Sequence, residues 1–148
     1  MAVRLQTERF ETGAEIVRLT SGRTDVGAAV SFTGLCRADG ETGTISAMEL
    51  EHFPGMAEEE LSRLEAEARK RWPLLDILIV HRYGRLVPGD EIVLVVTLSA
   101  HRQAAFEAAN FVMDALKTSA PFWKKEERAD GTSWVEAKDS DERARNRW

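Results

Sequence analysis

The sequence predicts an α+β fold, a mainly antiparallel sheet with two long helices packed on it. Two strong strand signals, over residues 76–83 and 91–99, are separated by little more than the turn VPGD, close enough for antiparallel pairing. Two long amphipathic patterns, over 54–72 and 99–117, supply the helices. Strands and helices alternate only partly, which argues against a doubly wound parallel sheet.

Taken in order, residues 3–10 alternate loosely and predict a first strand, and GAEIVRLT (13–20) predicts a short helix. VGAAVSFTG (26–34) is small and apolar, a buried strand ending at Gly34, with Arg37 at the mouth of the loop that follows. TISAMELEH (44–52) is a strand placing Met48, Leu50 and His52 on one face and Glu49 and Glu51 on the other. Pro54-Gly55 turns the chain into a helix whose buried stripe is Ala57, Leu61, Leu64, Ala68 and Trp72. Its wet side carries three i, i+4 pairs, Glu59–Arg63, Glu65–Arg69 and Glu67–Arg71, each contributing only about 0.2–0.5 kcal/mol. In VPGD, Pro88 and Gly89 suit the central positions of a type II turn. Ser99 is the expected N-cap of the second long helix, whose alanines give it high propensity. On that helix Phe106, Asn110, Met113 and Lys117 share one stripe, read here as a mostly buried face. Pro121 breaks the pattern, Asp130-Gly131 turns the chain, and a short strand is expected over 134–137. Trp148, after a highly charged run, is expected to dock on something rather than stand in water, and with that tail is a candidate to help form a dimer.

The 148 residues suit one domain, 1–148, with a real core. A net charge of −5 argues against general attraction to nucleic acid, so an anionic ligand would need a local basic pocket. No run is long and apolar enough to span a membrane helically and residues 1–10 lack a signal-peptide core, so a cytoplasmic location is expected. The single cysteine, Cys36, excludes a disulfide framework, and the three histidines share no ligand spacing, so no metal and no cofactor is expected. Cys36 follows an apolar strand with no histidine or aspartate tied to it by spacing, and reads as a small buried hydrophobe.

The candidate chemistry is cationic. A lysine on an apolar helix face loses hydration and gains reactivity; taken alone, though, Lys117 is most simply a lysine whose stem covers apolar surface while its head reaches water. His101 and Arg102 fall in a first helical turn, where free N–H groups favour an anion; a surface arginine paired with a glutamate is an equal reading. Arg37 alone is a loop arginine at a strand end, where sheet folds often place ligand contacts. Phe122-Trp123 followed by Lys124-Lys125 can line a pocket for a flat phosphorylated heterocycle, or form a core edge beside two solvated charges. No Gly-rich phosphate loop, HExxH, GxSxG or paired-carboxylate motif is present.

Five motifs at matching spacings carry more than any one residue: FTGLCR (32–37), LEHFPGM (50–56), VPGDEIV (87–93), SAHR with FEA (99–108), and LKTSAPFWKKE with WVEAK from residue 116 onward. Together, from about Val26 onward, they resemble the large, catalytic subunit of molybdopterin synthase; the residues before Val26 match poorly. The resemblance implies an α/β-hammerhead fold and a homodimer within a heterotetramer. The other subunit would be a small ubiquitin-like sulfur carrier whose C-terminal Gly-Gly ends in a thiocarboxylate. The implied reaction inserts two sulfurs into cyclic pyranopterin monophosphate to form the dithiolene of molybdopterin. It further implies Lys117 and Lys124 as catalytic residues, and Arg37, His101, Arg102, Lys125 and Glu126 as residues lining the substrate pocket. Cys36 stands where the family usually has valine, and Lys138 where arginine is common, in a position the family directs toward a neighbouring subunit. Two other functions fit the same residues: a non-catalytic pocket for a phosphorylated pterin or a carrier tail, and a Schiff-base enzyme using Lys117.

Overall fold

The computed structural model describes residues 2–40, 43–119, 122–129, 131–135, 139–146 and 148. The break at Pro121, the turn at Asp130, the end of the expected strand at Ala137 and the position of Lys138 lie outside the described residues. In chain order the elements are β1 (Val3–Gln6), α1 (Thr12–Thr20), β2 (Ala28–Leu35), β3 (Asp39–Gly40), β4 (Gly43–Thr44), β5 (Ala47–His52), α2 (Met56–Arg71) and β6 (Leu74–Arg82). They continue with β7 (Gly84–Leu86), β8 (Glu91–Ser99), α3 (Arg102–Ser119), β9 (Phe122–Arg128), β10 (Gly131–Val135) and α4 (Asp139–Asn146).

Two four-stranded sheets carry the fold, in the orders β1-β6-β8-β2 and β10-β9-β5-β7, beside the small ribbon β3-β4. Among the described residues every pairing is antiparallel except β1 with β6, which is parallel. The apolar runs of β6 and β8 have a simple cause: both faces of the first sheet are covered. Ile77, Ile79, Val93 and Val95 pack toward Leu61, Leu64, Ala109, Val112 and Leu116 of α2 and α3. Leu78, Val80, Leu94, Val96 and Leu98 pack the other way, against Phe10 with Ile16 and Leu19 of α1. A third cluster, Cys36, Ile45, Met48, Leu50 and Leu86, lies on the inner face of the second sheet and meets the first through Ile92.

The α+β architecture, both long helices and the central strands agree with expectation, as does the type II turn. Gly89 has φ +98°, and Asp90 N–H donates to the Val87 carbonyl at 2.9 Å. Trp148 docks as expected. Its ring meets Trp72 and Phe111 edge-on, its indole N–H reaches Asp114, and its carbonyl accepts from Arg71 Nη1 at 2.9 Å. No helix among the described residues is long and apolar enough to cross a membrane.

Other expectations are corrected. β1 ends at Gln6, because Phe10 turns away into the α1 cluster. The strand expected over 44–52 is two, β4 and β5. Arg63 pairs with Glu60 rather than Glu59. Ser99 ends β8 instead of capping α3, which begins at Arg102; its hydroxyl accepts the His101 N–H at 3.3 Å. The face of α3 is also different. Ala105, Ala108, Val112, Ala115 and Leu116 are buried, whereas Phe106, Asn110 and Lys117 are exposed. Alanines pack closest to a sheet, so the large residues of the other stripe border an open groove with Val30 and Phe32 of β2.

Candidate functional site

The site is built from β9. Successive strand residues point to opposite faces, so Phe122, Lys124, Glu126 and Arg128 share one side of the second sheet and Trp123, Lys125 and Glu127 the other. Pairing with β5 sets Phe122 opposite His52, Lys124 opposite Leu50 and Glu126 opposite Met48, on the face that holds the third core cluster. Glu126 is buried; its carboxylate accepts from Arg128 Nη1 at 2.9 Å and lies 3.9 Å from Lys124 Nζ. That geometry anchors the carboxylate on Arg128 and leaves the partly exposed Lys124 ammonium only loosely held.

Arg37 joins this group through its neighbour. Cys36 N–H donates to the Asp90 carbonyl and the Cys36 carbonyl accepts from Gly89 N–H, both at 2.8 Å, which pins the strand end to the β7–β8 turn. Cys36 is buried within range of Lys124 and Glu126. Burial first, then Asp90, pushes its thiol pKa up, against the pull of Lys124, so the side chain behaves as the apolar filler expected of it.

Lys117 enters from the last turn of α3, exposed rather than on a buried stripe. Its charge bears on His81, at the end of β6. His81 is buried, its Nδ1–H donates to the Arg82 carbonyl at 2.8 Å, and its ring stacks on Phe122 at 4.0 Å and 12°. His52 packs edge-on against Tyr83 at 4.5 Å and lies 5.9 Å from the Phe122 ring. Among the described residues neither nitrogen of His52 has a hydrogen-bond partner, and both are shielded from solvent. Lys117, His81, Phe122, Lys124, Glu126 and the Arg37 loop therefore follow one another along one seam between the two sheets.

Burial lowers the His81 pKa to about 4, with His52 and Lys117 adding to the effect and the Arg82 hydrogen bond opposing it. In the unfolded chain the same group titrates near 6.5. Below that pH the unfolded chain binds a proton that the folded chain refuses. Its contribution is thus full above pH 6.5 and is lost as pH falls toward 4, by about 3 kcal/mol. Denaturant midpoints between pH 4 and 7 should fall more steeply for the native chain than for His81→Phe; parallel curves would contradict the buried neutral imidazole.

Three of the expected residues lie elsewhere in the same chain. Lys125 occupies the opposite face of β9, its ammonium 4.7 Å from the Trp134 ring centre and in register with Glu49. His101 and Arg102 stand at the other end of α3; fifteen residues at about 1.5 Å each put Arg102 roughly 22 Å from Lys117 along the axis. The side chains of Arg37, His101 and Arg102 are exposed and make no hydrogen bond or ion pair among the described residues. The sequence offers Phe122 as a pocket-lining aromatic but does not single out His52 or His81 as site residues. The one available signal was a histidine closing the apolar run ILIV, where a buried polar side chain needs a reason. No group of three or more metal-ligating side chains gathers among the described residues.

Fold and site define an α+β protein of two packed sheets whose seam presents cations in an otherwise acidic chain. The model of the MoaE protein family matches residues 5–119. The molybdopterin synthase catalytic subunit of Mesorhizobium japonicum is 61% identical over 148 residues, covering 99% of this chain and 92% of that one. Among solved structures, the molybdopterin biosynthesis MoaE protein from Burkholderia ambifaria superposes with a TM-score of 0.84 at 48% identity, covering 100% of this chain and 98% of that one. A complex of subunits 1 and 2 of molybdopterin-converting factor from Helicobacter pylori matches with a TM-score of 0.74 at 16% identity over 94% of this chain and 92% of that one, a likeness of fold alone. The chain belongs to the MoaE family, which includes the molybdopterin synthase catalytic subunits.

Proposed function

We propose that this chain is the catalytic subunit of a molybdopterin synthase. It moves sulfur from the thiocarboxylated Gly-Gly end of a small carrier subunit to cyclic pyranopterin monophosphate, forming the dithiolene, in the cytoplasm. The observation that carries the reading is the seam itself. Lys124 comes from β9, two residues after the Phe122 that stacks on His81, and Lys117 comes from α3 within electrostatic range of His81.

The chemistry asks for what these residues offer. The nucleophile is the sulfur of the incoming thiocarboxylate, so the protein need supply no thiol; the buried, protonated Cys36 is unsuited to be one. What it must supply is positive charge for the phosphate and for developing oxyanions, and a route for protons. Lys124, loosely paired and partly exposed, neutralises substrate charge or protonates a leaving oxygen. Lys117 contacts the terminal carbonyl of the carrier or acts as acid and base. It is exposed in the free chain, so its desolvation would come with the carrier tail that covers it. Glu126 is anchored on Arg128 and offers Lys124 only a distant counter-charge at 3.9 Å.

His101 and Arg102 are too far along α3 to serve Lys117 of their own chain. In a two-fold homodimer with the α3 helices antiparallel, the N-terminal end of one lies by the C-terminal end of the other. His101 and Arg102 then serve the neighbouring copy, and the apolar groove at Val30, Phe32 and Phe106 gives the two chains a surface to share.

The test is to incubate the protein with thiocarboxylated carrier and cyclic pyranopterin monophosphate. The expected result is loss of the carrier's sulfur with appearance of the dithiolene. Binding of both partners without product would leave only a binding module.

A further inference from the structure

We infer that His81 is a positioning residue of this site: its ring, stacked on Phe122, fixes the start of β9 and so sets Lys124 relative to Lys117. The inference rests on the reading of those two lysines as the working pair.

His81 belongs to the first sheet and Phe122 to the second, so their stack is a contact between sheets at the end where the lysines lie. The β6 side is rigid. Arg82 is buried, and its guanidinium donates to the Thr7 carbonyl through Nε at 3.1 Å and Nη2 at 2.9 Å, and to the Glu91 carbonyl at 3.0 Å. The orientation of the His81 ring is fixed by its own Nδ1–H bond to the Arg82 carbonyl. Phe122 therefore registers against a fixed surface. Lys124 follows two residues later on the same face, about 7 Å along the strand. A shift of Phe122 carries the ammonium with it.

Packing alone does not account for an imidazole here. A leucine would fill the space without burying polar nitrogens. A buried lysine or arginine would repel Lys117, and a carboxylate would capture it. A neutral imidazole gives a flat surface for Phe122 and stays electrostatically silent beside Lys117. The groups facing it are His52 from β5, Lys117 from α3 and the adjoining Arg82, and burial among them keeps the ring uncharged above about pH 4.

The experiment uses the complete protein with thiocarboxylated carrier and pterin substrate. His81→Leu removes the flat ring, and is expected to lower kcat about tenfold while KM for the carrier moves less than about threefold. His81→Phe restores a ring to stack and should keep at least about half of native kcat. Equal losses in both variants, or no loss in His81→Leu, would overturn the inference. Phe122→Leu removes the same stack from the other sheet and covers the case in which His81→Leu does not fold. It should reproduce the drop in kcat, and unchanged turnover would count against the proposal. Lys124→Ala is assayed alongside. Full activity there sinks the lysine reading itself, whatever His81 does. If that variant is impaired, adding His81→Leu to it should cost less than about twofold more; a further full tenfold loss would mean that His81 does not act through Lys124.

Discussion

Lys124→Ala and, separately, Lys117→Ala should each lower kcat for dithiolene formation by at least about 100-fold while the carrier still binds within about threefold of native affinity. The expected size follows from what an ammonium does beside a developing oxyanion or a proton in flight. The split between turnover and binding follows from geometry, because each lysine projects from an element that the core fixes independently of its side chain. β9 is held by Phe122 on His81 and by its pairing with β5, and α3 by Ala108, Val112 and Ala115 on the first sheet. Neither alanine creates a cavity. Lys125→Ala is the informative comparison, since it removes the same charge one residue away on the opposite face of the strand. It should cost less than about fivefold. If the two neighbours matter equally, general positive potential around β9, rather than a placed ammonium, is responsible. Retention of full turnover by both Lys117→Ala and Lys124→Ala would dispose of the catalytic assignment.

Why the sequence revealed some parts and hid others has a physical answer. IVLVVTL declares β8 because that strand is buried on both faces, and the stripe Ala57–Leu61–Leu64–Ala68 declares α2 because only one of its faces is. β9 was unreadable as a strand. FWKKEER has no apolar alternation, since its inward positions hold the charged Lys124, Glu126 and Arg128. α4 was hidden for a related reason: DSDERARN carries almost no apolar signal. The face of α3 was misjudged because alanine marks no side. Five of its residues are alanines, and periodicity alone favoured the stripe with the largest side chains, which proved to be the open one. Lys117 and Lys124 were therefore identified by resemblance to a family, and their shared seam by the fold. The separation of His101 and Arg102 from Lys117 was implicit in the length of α3, which was predicted, but its consequence emerges only once α3 is seen to run unbroken between them.

Gly27→Ala should be the most damaging small change in the chain outside the site. Its backbone is not in the left-handed region, so the issue is space alone. A Cβ added there would lie 2.1 Å from the Ala100 carbonyl oxygen, well inside contact distance. Nothing flexible can yield: Gly27 N–H donates to the Ser99 carbonyl at 3.0 Å, and Ser99 is itself buried, with its hydroxyl holding the His101 N–H. Only Ala100 and His101 separate β8 from α3, so relieving the clash moves the start of the helix. Overpacking of this kind costs about 1–3 kcal/mol, and at this size lowers Tm by about 3–10 °C. Gly13→Ala is the control. That residue lies in α1 with nothing within 4 Å of the added carbon, and the change should be neutral or stabilise by up to about 1 kcal/mol. A functional consequence follows if His101 and Arg102 complete the neighbouring copy's site. Gly27→Ala should then raise KM for the phosphorylated pterin and leave carrier affinity unchanged. Equal Tm values for the two alanine variants would contradict the close approach, whereas a lowered Tm with an unchanged pterin KM would separate the packing from the proposed role of His101 and Arg102.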